Sequence, residues 1–302
     1  MLTLATEVAV KKVVSLICSM ALIISMLSLS GCALFDNKND KPYGVATCSV
    51  AICEILDALG CDEVVGVPAT GDTLPDKYSV IKTIGAPMEP QMEILKQINP
   101  EIVLVPKTLK ASLDAQFSAA NINVKYIDLS DISEMYDDIV EIGKFIGKES
   151  EAQSLYDGYT QYMDAYPKSD TDISVMTVMA FASLFTIATE DSYVGNLVKL
   201  AGGKNVYGAG YVSDGTGVIT NYSLEDMAQK NPDIIIVFAH FNEQYAFKYI
   251  EDLTKNDTVW KNFDAVKNGK VYYVSTADGF GVSANLDWTQ ALETLRPIFF
   301  GE

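Results

Sequence analysis

Glu93-Ile94-Leu95-Lys96-Gln97-Ile98-Asn99-Pro100-Glu101-Ile102-Val103-Leu104-Val105 recurs in the second half of the chain as Glu225-Asp226-Met227-Ala228-Gln229-Lys230-Asn231-Pro232-Asp233-Ile234-Ile235-Ile236-Val237. Each copy reads as a short helix closed by Asn-Pro, then an acid, then a buried strand. Proline cannot continue the helix, and it pushes the residue before it out of the αR region. A unit that occurs twice, far apart, predicts duplicated lobes rather than a solenoid. Working outward, residues 64–67, 102–105 and 124–127 read as strands of a first α/β unit. Residues 173–180, 234–238 and 271–274 read as strands of a second. Apolar runs bounded by helical patterns predict parallel sheets covered on both faces.

Between the two units, Glu134 to Tyr166 contains no proline, and Leu155, Tyr159, Tyr162 and Tyr166 repeat at helical spacing. Gly143, Gly147 and Gly158 interrupt that stretch, so one long helix and two shorter ones both fit. Pro167-Lys168-Ser169-Asp170 ends it. Two lobes joined this way leave a cleft, and ligands bind at domain interfaces and beyond the carboxyl ends of strands. The predicted organisation is therefore a first lobe over 43–132, a linking helix over 133–169 and a second lobe over 170–302.

The first residues read as an address. Lys11 and Lys12 precede an apolar run over 13–29, followed by Leu29-Ser30-Gly31-Cys32. The run is marginal for a bilayer span and has the positive-then-apolar layout of a secretion signal. Leu-Ser-Gly-Cys resembles a bacterial lipobox, which implies cleavage of a 1–31 signal peptide and a lipid on Cys32. Residues 32–42 then form a polar tether. Such a chain sits on the extracytoplasmic face of the cell membrane, held by its lipid. Cys48, Cys53 and Cys61 carry no CxxC spacing and are odd in number, which argues against a disulfide framework or zinc site. Cys53 and Cys61 read as sharing one helix, about 12 Å apart along its axis and too far to bridge. All three read as small buried apolar residues.

Composition narrows the function. The 302 residues hold 22 Lys plus Arg against 40 Asp plus Glu, a formal charge of −18. The two lysines and one glutamate of residues 1–31 take that only to −19 when removed. A chain this acidic is repelled by phosphate backbones, which excludes nucleic acid as a partner. His240 is the sole histidine and Arg296 the sole arginine. That rules out a Ser-His-Asp site not built on His240, and any metal site needing two or three imidazoles. There is no Gly-x-Gly-x-x-Gly, Walker loop or nucleophile elbow, so the chain reads as a binding protein rather than an enzyme. An adhesion or structural lipoprotein with a vestigial cleft is the rival from a third class.

The lipobox, the paired helix–Asn-Pro–strand units and the linking helix resemble the substrate-binding lipoproteins of ABC importers. The subclass is the helix-linked one, class III, that carries haem, corrinoids and ferric siderophores. Residues 193–206, Tyr-Val-Gly-Asn-Leu-Val-Lys-Leu-Ala-Gly-Gly-Lys-Asn-Val, and residues 260–272, Trp-Lys-Asn-Phe-Asp-Ala-Val-Lys-Asn-Gly-Lys-Val-Tyr, are similar to its second-lobe signatures. The likeness spans about residues 44–300. It implies two Rossmann-like α/β lobes with parallel sheets, and partnership with a membrane permease and its ATPase. In this family an acid at each of two matching positions pairs with permease arginines. Those positions here are Glu93 and Glu225. Otherwise the two glutamates are solvated helix faces.

Two residues bear on the ligand. Met88, in Ala86-Pro87-Met88-Glu89-Pro90, is kept out of a helix interior by its prolines, with Pro90 suited to the first turn of the next helix. Alone it would read as a flexible plug of the core. His240 directly follows the strand 234–238, at the end expected to face the cleft; alone it would read as a half-buried histidine bonded to a backbone carbonyl. Aligning the repeat sets Thr108 opposite His240 and Thr220 opposite Met88, so the halves differ at both places. Thioether plus imidazole is an axial pair for haem iron. The Pro-Met context and the histidine after the second-lobe strand are similar to the haem-receptor branch of the iron-regulated surface determinant system. That resemblance implies haem b as the transported ligand, with Met88 and His240 on its iron. Corrinoid and ferric-siderophore receptors of the same fold are the alternative. A single arginine argues against an anionic siderophore, which needs guanidinium forks. Thr108, Phe181, Phe185, Tyr211, Phe238 and Phe241 are candidates for the pocket lining.

Overall fold

A computed structural model describes residues 44–167, 171–212 and 215–301. The predicted signal, the tether and Cys32 lie outside the described residues, as do residues 168–170 at the end of the linking segment. The first sheet is fully parallel, in the order β2 (Val64–Gly66), β1 (Val45–Thr47), β5 (Ile102–Pro106), β6 (Val124–Ile127). The second has β7 (Ser174–Ala180), β11 (Ile234–Ala239) and β12 (Val271–Val274) in parallel. On its other flank β8 (Phe185–Ala188) and β10 (Val218–Ile219) run antiparallel, and β9 (Lys204–Asn205) pairs with β7. The second sheet is therefore mixed, a correction to the expected parallel arrangement. Its cause is a tight reversal after β7, closed by the Phe181 N–H donating to the Leu184 carbonyl at 2.8 Å. A two-residue turn can join only antiparallel strands.

The repeat folds identically in both lobes. Helix α2 (Met92–Ile98) precedes β5, and α7 (Leu224–Lys230) precedes β11. Each ends on an asparagine in the left-handed region, Asn99 at φ 47° and Asn231 at φ 37°. Asparagine tolerates that conformation, and the proline behind it prevents further helix. Leu95 and Met227, at matching positions, are the buried residues of these helices. Pro90 does not start α2: it lies in the short strand β4 (Glu89–Pro90), paired with β3 (Gly85–Ala86), and Gln91 is the N-cap.

Two helices link the lobes, α4 (Ile132–Ile146) and α5 (Glu149–Ala165). The corner between them is Gly147, at φ 71°, which glycine adopts without steric cost. Gly143 lies against the Ala152 side chain, so the absence of a β-carbon lets the helices close on each other. Gly158 interrupts nothing. Their apolar faces belong to a core that includes Val45 and Leu104 of the first sheet and Val175 and Phe238 of the second. Trp288, opening α10 (Trp288–Phe300), meets Tyr136, Tyr159 and Tyr162 edge-on, and its indole N–H donates to the Tyr136 hydroxyl at 3.0 Å. Asn196 of the 193–206 signature accepts from the Ile132 N–H at 3.3 Å and donates to Asp131 at 2.7 Å, tying the second lobe to the start of the link.

Cys48, Cys53 and Cys61 are free and buried. Burial pushes the Cys48 and Cys53 thiols up to about 12, so they are inert as nucleophiles. Cys61 does not share the helix of Cys53, because α1 (Val50–Ala58) has already ended.

Candidate ligand cleft

Both halves present their strand carboxyl ends to the same region. The loop after β6 meets the loop after β12 where the Ala284 N–H donates to the Leu129 carbonyl at 2.7 Å. In the first lobe the β3–β4 hairpin is lashed to the outgoing end of β2. Val67 bridges Thr83, the Ile84 N–H donates to the Val67 carbonyl at 2.9 Å, and Ala69 donates to Gly85 at 2.8 Å. Pro87 and Met88 form the hairpin turn. Met88 is 67% exposed, so it is not a plug of the core. A thioether held out on a pinned hairpin is available to a ligand.

In the second lobe His240 prolongs the β7–β11 ladder by one bond, its N–H donating to the Ala180 carbonyl at 3.0 Å. This fixes its backbone at the carboxyl edge of the sheet. The imidazole is half-buried, packed edge-on to Phe181 with ring centres 5.9 Å apart and tilted against Phe241 at 3.9 Å. Among the described residues its ring nitrogens have no hydrogen-bond partner, so the carbonyl-bonded histidine is not what the fold builds. Burial holds the imidazole below its usual pKa, offset in part by the charge of Asp72. The neutral ring, whose lone pair can ligate a metal, is thereby favoured. Asp72 follows β2 in the first lobe, so its influence on His240 crosses between lobes. Asp72 is a functional neighbour that the sequence marks only faintly, by the Thr70-Gly71-Asp72 stretch that follows a strand. Glu54 of α1, raised chiefly by burial, feels Asp287 and Asp72 as well.

The predicted lining separates into two groups. Phe181 and Phe241 flank His240, and Phe241 is 70% exposed. Thr108, on the turn Lys107–Leu109 that follows β5, holds the matching place in the first lobe. Phe185 and Phe238 are instead core residues, which corrects their assignment to the pocket. Phe185 stacks on Tyr222 and meets Trp260, and Phe238 belongs to the core shared with the linking helices. Tyr211 packs edge-on to Tyr207 under Lys230, on the α7 flank, and no described contact brings it to His240. Arg296 lies over Phe300 in α10. Glu93 and Glu225 occupy the first turns of α2 and α7, both exposed and without an ion-pair partner among the described residues. A hollow of about 490 Å³ beside α4 is lined by Glu134, Asp137, Asp138 and Glu141 and contains none of these residues.

No cluster of three or more histidine, cysteine, aspartate or glutamate side chains suited to a metal ion exists among the described residues. The two lobes thus offer one sulfur and one imidazole nitrogen, from loops above two different sheets. Two donors do not complete a site for a bare zinc or manganese ion. They suit a metal that arrives with its equatorial positions already filled.

The periplasmic binding protein family matches residues 45–277, and the chain belongs to that family. Its members and relatives are transport substrate-binding proteins, not enzymes. The chain is 29% identical over 286 residues to the high-affinity heme uptake system protein IsdE of Staphylococcus aureus, covering 92% of this chain and 96% of that one. Among solved structures it is similar to an ABC transporter substrate-binding protein from Listeria monocytogenes EGD-e, at 32% identity and a TM-score of 0.75. That match covers 87% of this chain and all of the other. It is also similar to Staphylococcus aureus IsdE complexed with heme, at 29% identity and a TM-score of 0.76, covering 85% of this chain and 99% of that one. The expected class III architecture is thus the observed one. Among the described residues no helix is long and apolar enough to cross a membrane.

Proposed function

We propose that this protein binds haem between its lobes and delivers it to an ABC permease, powered by the partner ATPase, for haem or iron import. In this reading residues 43–132 and 170–302 are the lobes and 133–169 the link. A lipid on Cys32 holds the chain on the extracytoplasmic face of the membrane. The observation that carries the reading is the pair Met88 and His240, one soft donor and one imidazole on opposite lobes, where the described residues hold no cluster of three or more histidine, cysteine, aspartate or glutamate side chains suited to a metal ion. A porphyrin supplies four equatorial nitrogens and leaves two axial positions, which this pair would fill. The burial of His240 favours the ligating neutral ring. The exposed ring of Phe241 and the half-buried ring of Phe181 offer apolar surface to a flat macrocycle. The likeness to a heme uptake protein supports the same ligand. Glu93 and Glu225, exposed at matching positions on two helices, would dock the lobes to permease arginines.

The absorption spectrum of protein purified from haem-replete cells tests this. The expected result is a Soret band with six-coordinate features, altered by Met88→Ala and strongly reduced by His240→Ala. A protein that takes up no haem on titration contradicts it; uptake of a corrinoid in its place would establish the alternative ligand.

A further inference from the structure

The segment between β11 and α8 (Glu243–Asn256) reverses the chain in two residues, and both are left-handed without being glycine: Phe241 at φ 64° and Asn242 at φ 44°. Asparagine visits that region readily, but a bulky side chain there is a steric outlier. The reversal is fixed from both sides. Before it, the His240 N–H is bonded to the Ala180 carbonyl at 3.0 Å. After it, the Glu243 carboxylate accepts from the Thr276 N–H at 2.7 Å and from the Thr276 hydroxyl at 2.9 Å. Glycine would satisfy the geometry of position 241 at no steric cost. The residue present is instead a phenylalanine, strained in backbone and 70% exposed in side chain. Two unfavourable features on one residue persist where the side chain is used.

Its use is visible in its contact. The Phe241 ring centre is 3.9 Å from that of the imidazole, at 44°, while Phe181 meets the same imidazole at 5.9 Å and 89°. Metal-binding histidines are usually oriented by a carboxylate or carbonyl that accepts the second ring N–H. His240 has no such acceptor among the described residues. We propose that Phe241 is a positioning residue, held left-handed so that its ring, with Phe181, fixes the plane of the His240 imidazole by aromatic packing in place of a hydrogen bond. A clamp of this kind orients the ring without making it a stronger electron donor, as suits a carrier that must release its cargo. The consequence for haem rests on the function proposed above; the positioning itself does not.

Because the chain has one histidine, its imidazole C–H resonances are assigned without ambiguity. The experiment compares them in the haem-free wild-type protein and in Phe241→Gly, Phe241→Leu and Phe241→Tyr, alongside thermal unfolding and haem dissociation rates. Ring currents should hold the wild-type resonances upfield, and Phe241→Tyr should keep them there. Phe241→Gly and Phe241→Leu should return them towards the positions of free histidine. Phe241→Gly should raise the unfolding temperature of the haem-free protein, since glycine removes the strain, while haem leaves about 10-fold faster, the lower end of what loss of a supporting group costs a metal site. Unchanged imidazole resonances in Phe241→Gly would overturn the proposal. So would a lower unfolding temperature with unchanged haem release, which marks a merely structural residue. If the wild type binds no haem, the function proposed above fails, and the imidazole resonances alone decide the role of Phe241.

Discussion

Leu95 and Met227 occupy the same place in the two lobes, each the buried anchor of a seven-residue helix that ends on a left-handed asparagine before proline. Glu93 and Glu225 stand in the same first turns, both exposed. The two helix–Asn-Pro–strand units match in position, yet the loops around them do not. The first lobe offers Met88 on a hairpin and Thr108 after its strand; the second offers Thr220 and His240 at those places. Packing imposes the same solution twice because each helix must bury one apolar residue and stop before its strand. The loops are free of that requirement, and there the halves diverge, a methionine or a histidine standing where the other half has threonine.

Making the lobes alike breaks this asymmetry and gives the largest expected effects. His240→Thr, which installs the residue of the first lobe, should weaken haem binding on the order of 100-fold or more, beyond what loss of a supporting group alone costs a metal site. Met88→Thr should weaken it less and change the Soret band towards five-coordinate character. It should leave the unfolding midpoint unmoved, since Met88 is largely solvent-exposed. Equal effects of the two substitutions would argue against different roles for the lobes.

The two glutamates proposed to dock the permease, by contrast, should behave symmetrically. Glu93→Ala and Glu225→Ala should each slow haem import to a similar, modest degree, because one exposed ion pair contributes about 0.2–1 kcal/mol. The double variant should slow it further and grow more sensitive to salt, with haem binding intact. Import assays beside haem titrations check this, and loss of binding in the double variant would contradict a docking role.

A smaller contrast lies in the caps. Asn231 donates to Asp264 at 2.9 Å and accepts from the Asp264 N–H at 3.0 Å, bonds for which Asn99 shows no counterpart among the described residues. Asn231→Gly should therefore cost about 1 kcal/mol of stability. Asn99→Gly should stay within about 0.5 kcal/mol of the wild type. Urea unfolding of both variants measures the difference.

Much of this was legible in the sequence, for local reasons. The strands at 102–106, 124–127, 174–180, 234–239 and 271–274 announce themselves by apolar runs between helix stops. Short pairings such as β3–β4, β8 and β10 do not, because they lack an apolar run between helix stops and are defined by the strand they pair with. The placement of His240 followed from its position after a strand. The lining was harder to read. Phe238 and Phe241 are three residues apart, but Phe238 lies within β11, whose two faces are both buried, whereas Phe241 lies beyond its end. Phe185 fails for the same reason, as a residue of β8. The influence of the Asp72 charge on His240 is a relation between lobes that no local pattern encodes.

Selection of a metalloporphyrin by the two unlike loops together is the core of the proposed function. A titration of the purified protein with ferric haem, followed at the Soret band and repeated with cobalamin as competitor, tests it most directly. The expected result is saturation at one haem per protein, no displacement by cobalamin, and loss of saturable binding when Met88→Thr and His240→Thr are combined. Cobalamin displacing haem, or the combined variant binding haem as the wild type does, would contradict it.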